Sequence, residues 1–126
     1  MFTINSSGTG PGAVLNQNFS VNSASNPAAR NTIVQIYATG EGQTTPLGSD
    51  GKLAVAPLPK PLLPVTVTIG GVDAPVTYAG AAPALVAGVI QINARVPTQV
   101  QPGDSVPVVV KIGTVTSQTG VTIAVR

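Results

Sequence analysis

The sequence predicts an all-β domain, an immunoglobulin-like β-sandwich of about seven to eight mostly antiparallel strands. Three observations carry that expectation. The apolar residues are mainly Val, Ile and Ala, with abundant Thr; β-branched side chains suit a pleated, half-buried surface and lose rotamer freedom in a helix. The 14 Gly and 12 Pro interrupt any long helix. Through the second half, apolar and polar residues alternate with period two, with turn signals about every ten residues. A chain of 126 residues is most simply one domain, 1–126, able to bury roughly two thirds of its unfolded surface.

Along the chain, residues 1–12 (MFTINSSGTGPG) read as a mobile or edge segment. Residues 13–21 are expected to form a short hairpin around Asn16-Gln17-Asn18. The run TIVQIYA, 32–38, is apolar on both faces, as a central strand is. The stretch from Tyr37 to Lys52 (YATGEGQTTPLGSDGK) holds the richest mix of polar groups and reads as a connector. Residues 53–64 (LAVAPLPKPLLP) space Pro57, Pro59, Pro61 and Pro64 as extended polyproline geometry prefers. They are expected to be a stiff crossover between two sheets, with their apolar side chains buried at a sandwich edge; a ligand for a proline-binding module is the other reading.

From 65 onward the pattern sharpens. Val65, Val67 and Ile69 alternate with Thr, and Gly70-Gly71 suits a type I′ hairpin, which needs positive φ at both positions. Val76-Thr77-Tyr78 returns, with Pro75 pointing to an edge or bulge. Ile90, Ile92, Ala94 and Val96 share one face. So do Val106, Val108, Val110 and Ile112, which leaves Lys111 outward, and a type II′ turn at Gly113-Thr114 is expected to lead into the last strand, with Val121, Ile123 and Val125 on one face. The pattern Val-x-Val-x-Ile-Gly-x-Val occurs at 65–72 and again at 108–115, as two similar hairpins.

The residue inventory excludes much chemistry. There is no Cys, hence no disulfide, thiolate nucleophile or zinc-thiolate site, and no His, hence no Ser-His-Asp or Cys-His catalysis. Only 8% of residues are charged, against about 25% in an ordinary soluble domain. The net charge of +2 comes from scattered positions, without the basic stripe and aromatic platforms that nucleic-acid binding uses. No stretch approaches the ~18 apolar residues of a membrane span. No signal peptide is expected, and Met1 running straight into FTINSS reads as a piece cut from a longer protein.

The carboxylates are Glu41, Asp50, Asp73 and Asp104. The three Asp lie in or beside turn sequences, where Asp bonds the local backbone. A calcium site around Ser49-Asp50 lacks the alternating oxygen-ligand pattern. Gly8-Thr9-Gly10-Pro11-Gly12 has no Lys after it and is no phosphate loop. Asn5-Ser6-Ser7 and Asn18-Phe19-Ser20 match the glycosylation acceptor pattern. A Lys–Asn isopeptide staple would need a buried Lys, for which only Lys52 or Lys60 qualifies. Glu41, between Gly40 and Gly42, is the least explained, because Glu has little turn preference. It is expected to pair with Arg30 or Lys52 and pin its loop. Glu41, Arg30, Tyr37 and Gln43 are the candidate interaction or loop-pinning residues. Sugar binding uses exposed aromatics; of Phe2, Phe19, Tyr37 and Tyr78, Phe19 and Tyr78 are expected at the core or an edge.

The segments GTGPGAVLNQNFSVNSASNPAARNTIVQIYATGEGQT, PLPKPLLPVTVTIGGVDAPVTYAGAAPALVAGVIQINARVP and PGDSVPVVVKIGTVTSQTGVTIAVR resemble the Solibacter-type uncharacterised C-terminal domain family. Residues 65–126 are also similar to IPT/TIG immunoglobulin-like domains. The resemblance implies a module at the end of large secreted or surface acidobacterial proteins, and it transfers no catalytic residue. The expectation is therefore a non-enzymatic extracellular structural or attachment module without cofactor or metal. Its partners would be neighbouring domains of the parent protein or other copies of itself, with no nucleic acid and no membrane insertion. The alternatives are a strand-donating subunit of an extracellular filament or surface layer, and a carbohydrate-binding module.

Overall fold

Val, Ile and Thr at alternate positions give each strand one face that prefers water and one that does not, and two such faces bury each other. In the computed structural model, which describes residues 1–126, this produces an all-β sandwich with no helix. Twelve strands form: β1 (Gly10–Pro11), β2 (Val14–Leu15), β3 (Ile33–Thr39), β4 (Thr44–Thr45), β5 (Lys60–Pro61), β6 (Val65–Ile69), β7 (Val72–Ala74), β8 (Val76–Ala81), β9 (Val89–Arg95), β10 (Gly103–Ile112), β11 (Val115–Thr116) and β12 (Val121–Val125). One sheet runs β1-β12-β10-β6-β7, with β11 added to β10; the facing sheet runs β2-β3-β9-β8; β4 and β5 make a small ribbon. All pairings are antiparallel except β1 beside β12, which is parallel.

The core is drawn from both sheets: Val34, Ile36, Ile90 and Ile92 on one side, Val67, Ile69, Val108 and Val110 on the other. The two Val-x-Val-x-Ile repeats lie against each other, with Val65 opposite Ile112, Val67 opposite Val110 and Ile69 opposite Val108. The repeat is thus one antiparallel seam, closed by two turns at opposite ends. Gly70 and Gly71 both have positive φ, as a type I′ hairpin requires. Beside Pro75 the pairing of β8 with β9 shifts register between Val76 and Tyr78. The turn at Gly113-Thr114 leads into short β11, not directly into the last strand as expected; Ser117–Gly120 then connects to β12.

Other expectations change in detail. Residues 1–12 form an edge held by main-chain bonds: Gly10 N donates to Gly120 O at 2.7 Å, Gly12 N to Thr122 O at 2.9 Å, and Phe2 N to Tyr37 O at 3.0 Å. The hairpin around Asn16 forms, with Leu15 bridged to Val21. However, Phe19 sits at its tip, 72% exposed with positive φ, so it belongs neither to the core nor to a sheet edge. The 53–64 segment does cross between the sheets, but it keeps most of its apolar side chains in water: Leu53, Val55, Leu62 and Leu63 are exposed. Its backbone is already committed elsewhere. Ala54 N donates to Leu85 O at 2.8 Å, Ala87 N to Lys52 O at 2.8 Å, and Ala81 N to Pro59 O at 2.7 Å. These bonds hold the arm against the 82–88 loop and the β8 edge at the expense of side-chain burial.

Candidate functional site

The ends of β3, β9, β10 and the proline arm converge at one end of the sandwich, and Glu41 lies among them. β3 runs out of the core at Ala38–Thr39. Gly40 and Gly42 both adopt positive φ, a turn that folds Glu41 back under its own loop. The side chain is 8% exposed, and Oε2 has no hydrogen-bond partner. Burial pushes the Glu41 carboxyl above the usual carboxylate range. The Tyr78 phenol is pushed up by its own burial and, after that, by the nearby Glu41 charge.

Glu41 borders three hollows. The first, about 280 Å³, lies between the β3 end and the β10–β11 hairpin, with Leu63, Val110, Ile112 and Val115 as apolar wall and Ser117 as a polar one. The second, about 180 Å³, lies under the proline arm between Leu53, Val55 and Ala81, with Lys52 also on its wall. The third, about 320 Å³, is a more polar depression that Glu41 shares with Gln43, Thr44 and Asp50. Asp50, Asp73 and Asp104 are exposed, as are Lys52, Lys60 and Lys111. No group of three or more metal-ligating side chains forms.

The structure does not bring together the residues the sequence singled out. Arg30 directs its guanidinium to Thr98 O at 3.3 Å, and its backbone N donates to Arg126 O, so it does not pin Glu41. Lys52 shares a cavity wall with Glu41, yet desolvation alone governs the Glu41 carboxyl. Tyr37 is half-buried beneath the N-terminal segment, its hydroxyl donating to Gln35 Oε1 at 3.3 Å. Gln43 is exposed, and its carbonyl accepts Leu62 N at 2.9 Å, which ties β4 to the end of the arm. Tyr78 donates to Ala81 O at 2.8 Å, its ring lying across Gly80, where a Cβ would stand 2.8 Å from the hydroxyl. Neither tyrosine stands free as a stacking platform.

Sequence reasoning missed Asn22. Its side chain is 3% exposed and acts as a surrogate strand edge: Nδ2 donates to Ala124 O and to Asn16 Oδ1, both at 2.9 Å, and Oδ1 accepts Ala124 N at 2.8 Å. An Asn inside NFSVNSASN carries no local signal for a partner 102 positions away. It also missed the apolar display on the arm and beside it: Leu53 and Val55 of the arm, Leu47 before it and Leu85 and Val86 in the adjoining loop are all exposed, Val55 to 71%. The Pro spacing that suggested a stiff segment was the available hint. Compared with protein-family models, with curated proteins and with solved structures, the chain matches none.

Proposed function

We propose that this chain is a non-enzymatic attachment module, an immunoglobulin-like sandwich at the end of a secreted or surface protein, which docks an adjoining domain of that protein through its proline arm. One observation carries the reading. The arm is fixed by main-chain bonds to the 82–88 loop, yet Leu53 and Val55 on the arm and Leu85 and Val86 on the loop stand out in water. Contiguous apolar display on an ordered scaffold marks an interaction surface. With so few charges, its contacts would be apolar and main-chain. The resemblance of the ATGEGQT and YAGAAP…GVIQIN blocks to a C-terminal domain family supports the location. The chain alternates between the two sheets, with β3 in one, β6–β7 in the other, β8–β9 back in the first and β10–β12 in the second, and this alternation supports the immunoglobulin-like reading.

A two-acid hydrolase is the competing chemistry, because Glu41 and Asp50 border one depression. Catalytic acids are held in place by supporting hydrogen bonds. Here Asp50 is an exposed turn residue and Glu41 Oε2 has no partner, which favours the attachment reading. Hydrogen exchange of the chain alone, against the chain joined to its neighbouring domain, tests it. Protection of residues 53–55 and 84–87 in the joined form, lost in Leu53→Ser/Val55→Ser, is the expected result. Unchanged exchange there sinks the reading, and protection that instead follows chain concentration assigns the arm to a second copy.

A further inference from the structure

Glu41 is more than nine-tenths buried, carries an oxygen without a partner, and lines a cavity of about 280 Å³ whose other wall combines the apolar Leu63, Val110, Ile112 and Val115 with the polar Thr116, Ser117 and Gln118. Its Oε2 has lost water and gained no partner within the chain, a burial that an arriving counter-charge would compensate. The cations of the chain are otherwise engaged or solvated. Arg30 is bonded to Thr98 O and Arg95 to Asn31 O, and the three lysines are exposed. The Met1 ammonium lines the same cavity but donates to Gln118 Oε1 at 2.8 Å.

We propose that this cavity binds a primary alkylammonium group, with the ammonium at the Glu41 carboxylate and the alkyl chain along Leu63, Val110, Ile112 and Val115. The charge complements Glu41, and the Ser117 hydroxyl on the same wall, which already accepts Val110 N at 3.1 Å, keeps a second lone pair for the ammonium. An anion would be repelled by Glu41. A neutral alcohol would fill the apolar wall but leave the buried charge uncompensated. The group is a lysine side chain of the docked partner or a free alkylamine; the first deepens the attachment reading by naming what the end of the sandwich recognises.

Titrating the chain at pH 7 with n-butylamine, n-butanol and butyrate, followed by amide shifts of Gly40, Gly42, Val115 and Ser117, tests the site. Saturable shifts with butylamine alone are expected, and Glu41→Gln, with unchanged melting behaviour as a folding control, weakens them about thirtyfold or more. Shifts of equal strength with butanol, or binding retained in Glu41→Gln, overturn the proposal, as does no binding at all. In the unmutated chain, acidification that protonates Glu41 must release the amine; binding indifferent to pH counts against it. A lysine blocked at both backbone ends that binds as butylamine does identifies a side-chain source, and its exclusion identifies a free amine. Since no partner domain is present, a null result removes the ammonium site and leaves the arm's docking to its own exchange experiment.

Discussion

Asn22 and Glu41 are opposite solutions to burying a polar side chain. Asn22 satisfies three hydrogen bonds and completes an edge that β12 would otherwise leave open. Truncating it orphans Ala124 N, a buried main-chain donor, and an unsatisfied buried group costs about 1–3 kcal/mol in addition to the lost bonds. Asn22→Ala should therefore lower stability by roughly 2–4 kcal/mol in urea unfolding. A loss below half a unit of that scale would mean the edge is closed by other means. Glu41 is left incomplete. Its folded-state carboxyl titrates above its unfolded one, so the native state binds the extra proton in the interval between them. Stability from this group is full at pH below the ordinary carboxylate range and falls as pH rises toward the raised folded value. Unfolding measured across mildly acidic to neutral pH should show the unmutated chain losing stability relative to Glu41→Gln; parallel curves would mean the carboxyl is compensated.

At the level of strands, the hairpin of β6 and β7 shows how a period-two pattern and a glycine pair divide the work. Gly71 has positive φ with open space where a Cβ would stand. Gly70 has positive φ as well, but its Cβ would meet Val100 and Val106 at 3.2 Å. Asn tolerates the left-handed region at modest cost. Gly71→Asn is therefore expected to change stability by under ~1 kcal/mol, whereas Gly70→Asn also displaces core valines and should lose about 2 kcal/mol or more. Equal losses in thermal melts of the two variants would show that packing at Val100 yields freely. The strand pattern made the hairpin legible, and the two adjacent glycines its turn. Which glycine is crowded was not legible, because Val100 and Val106 reach it only after the chain has folded back from β10.

For the whole molecule, stability is unevenly spread. β3 and β9 pair along their full length, and the side chains of Ile36 and Ile92 are wholly covered. The arm, by contrast, buries Ala54 and little else. Local opening needs only the loss of the few contacts a segment makes. Amides of Ile36 and Ile92 are expected to exchange only through global unfolding. Ala54 and Ala87, although hydrogen-bonded, should exchange orders of magnitude faster. Equal protection would mean the arm is part of the core unit, and the idea of a surface held ready for a partner would lose its footing. Such a gradient suits the proposed reading, in which rigid sheets carry a thinly packed arm whose apolar side chains remain uncovered.

By itself the sequence determined the class of architecture and the apolar face of its clearest strands, while the pairing of the 65–69 and 108–112 repeats with each other emerged only in the fold. Alternation of β-branched residues dictates which face of each strand is apolar, and that is local information: Ile90, Ile92, Ala94 and Val96 are all buried, as their spacing requires. The missing histidines and cysteines restricted the chemistry just as directly. Only the tertiary structure decided that residues 1–12 seal β12 in parallel, that Asn22 bonds across the chain to Ala124, that Phe19 stays in water, and that Glu41 is buried alone while Arg30 turns to Thr98. Burial and pairing of a single side chain depend on which distant segments arrive beside it, and chain closure sets this, not periodicity. The leucines of the proline arm make the same point in reverse: main-chain bonds fix the arm at the sandwich edge, and Leu53, Leu62 and Leu63 there face outward.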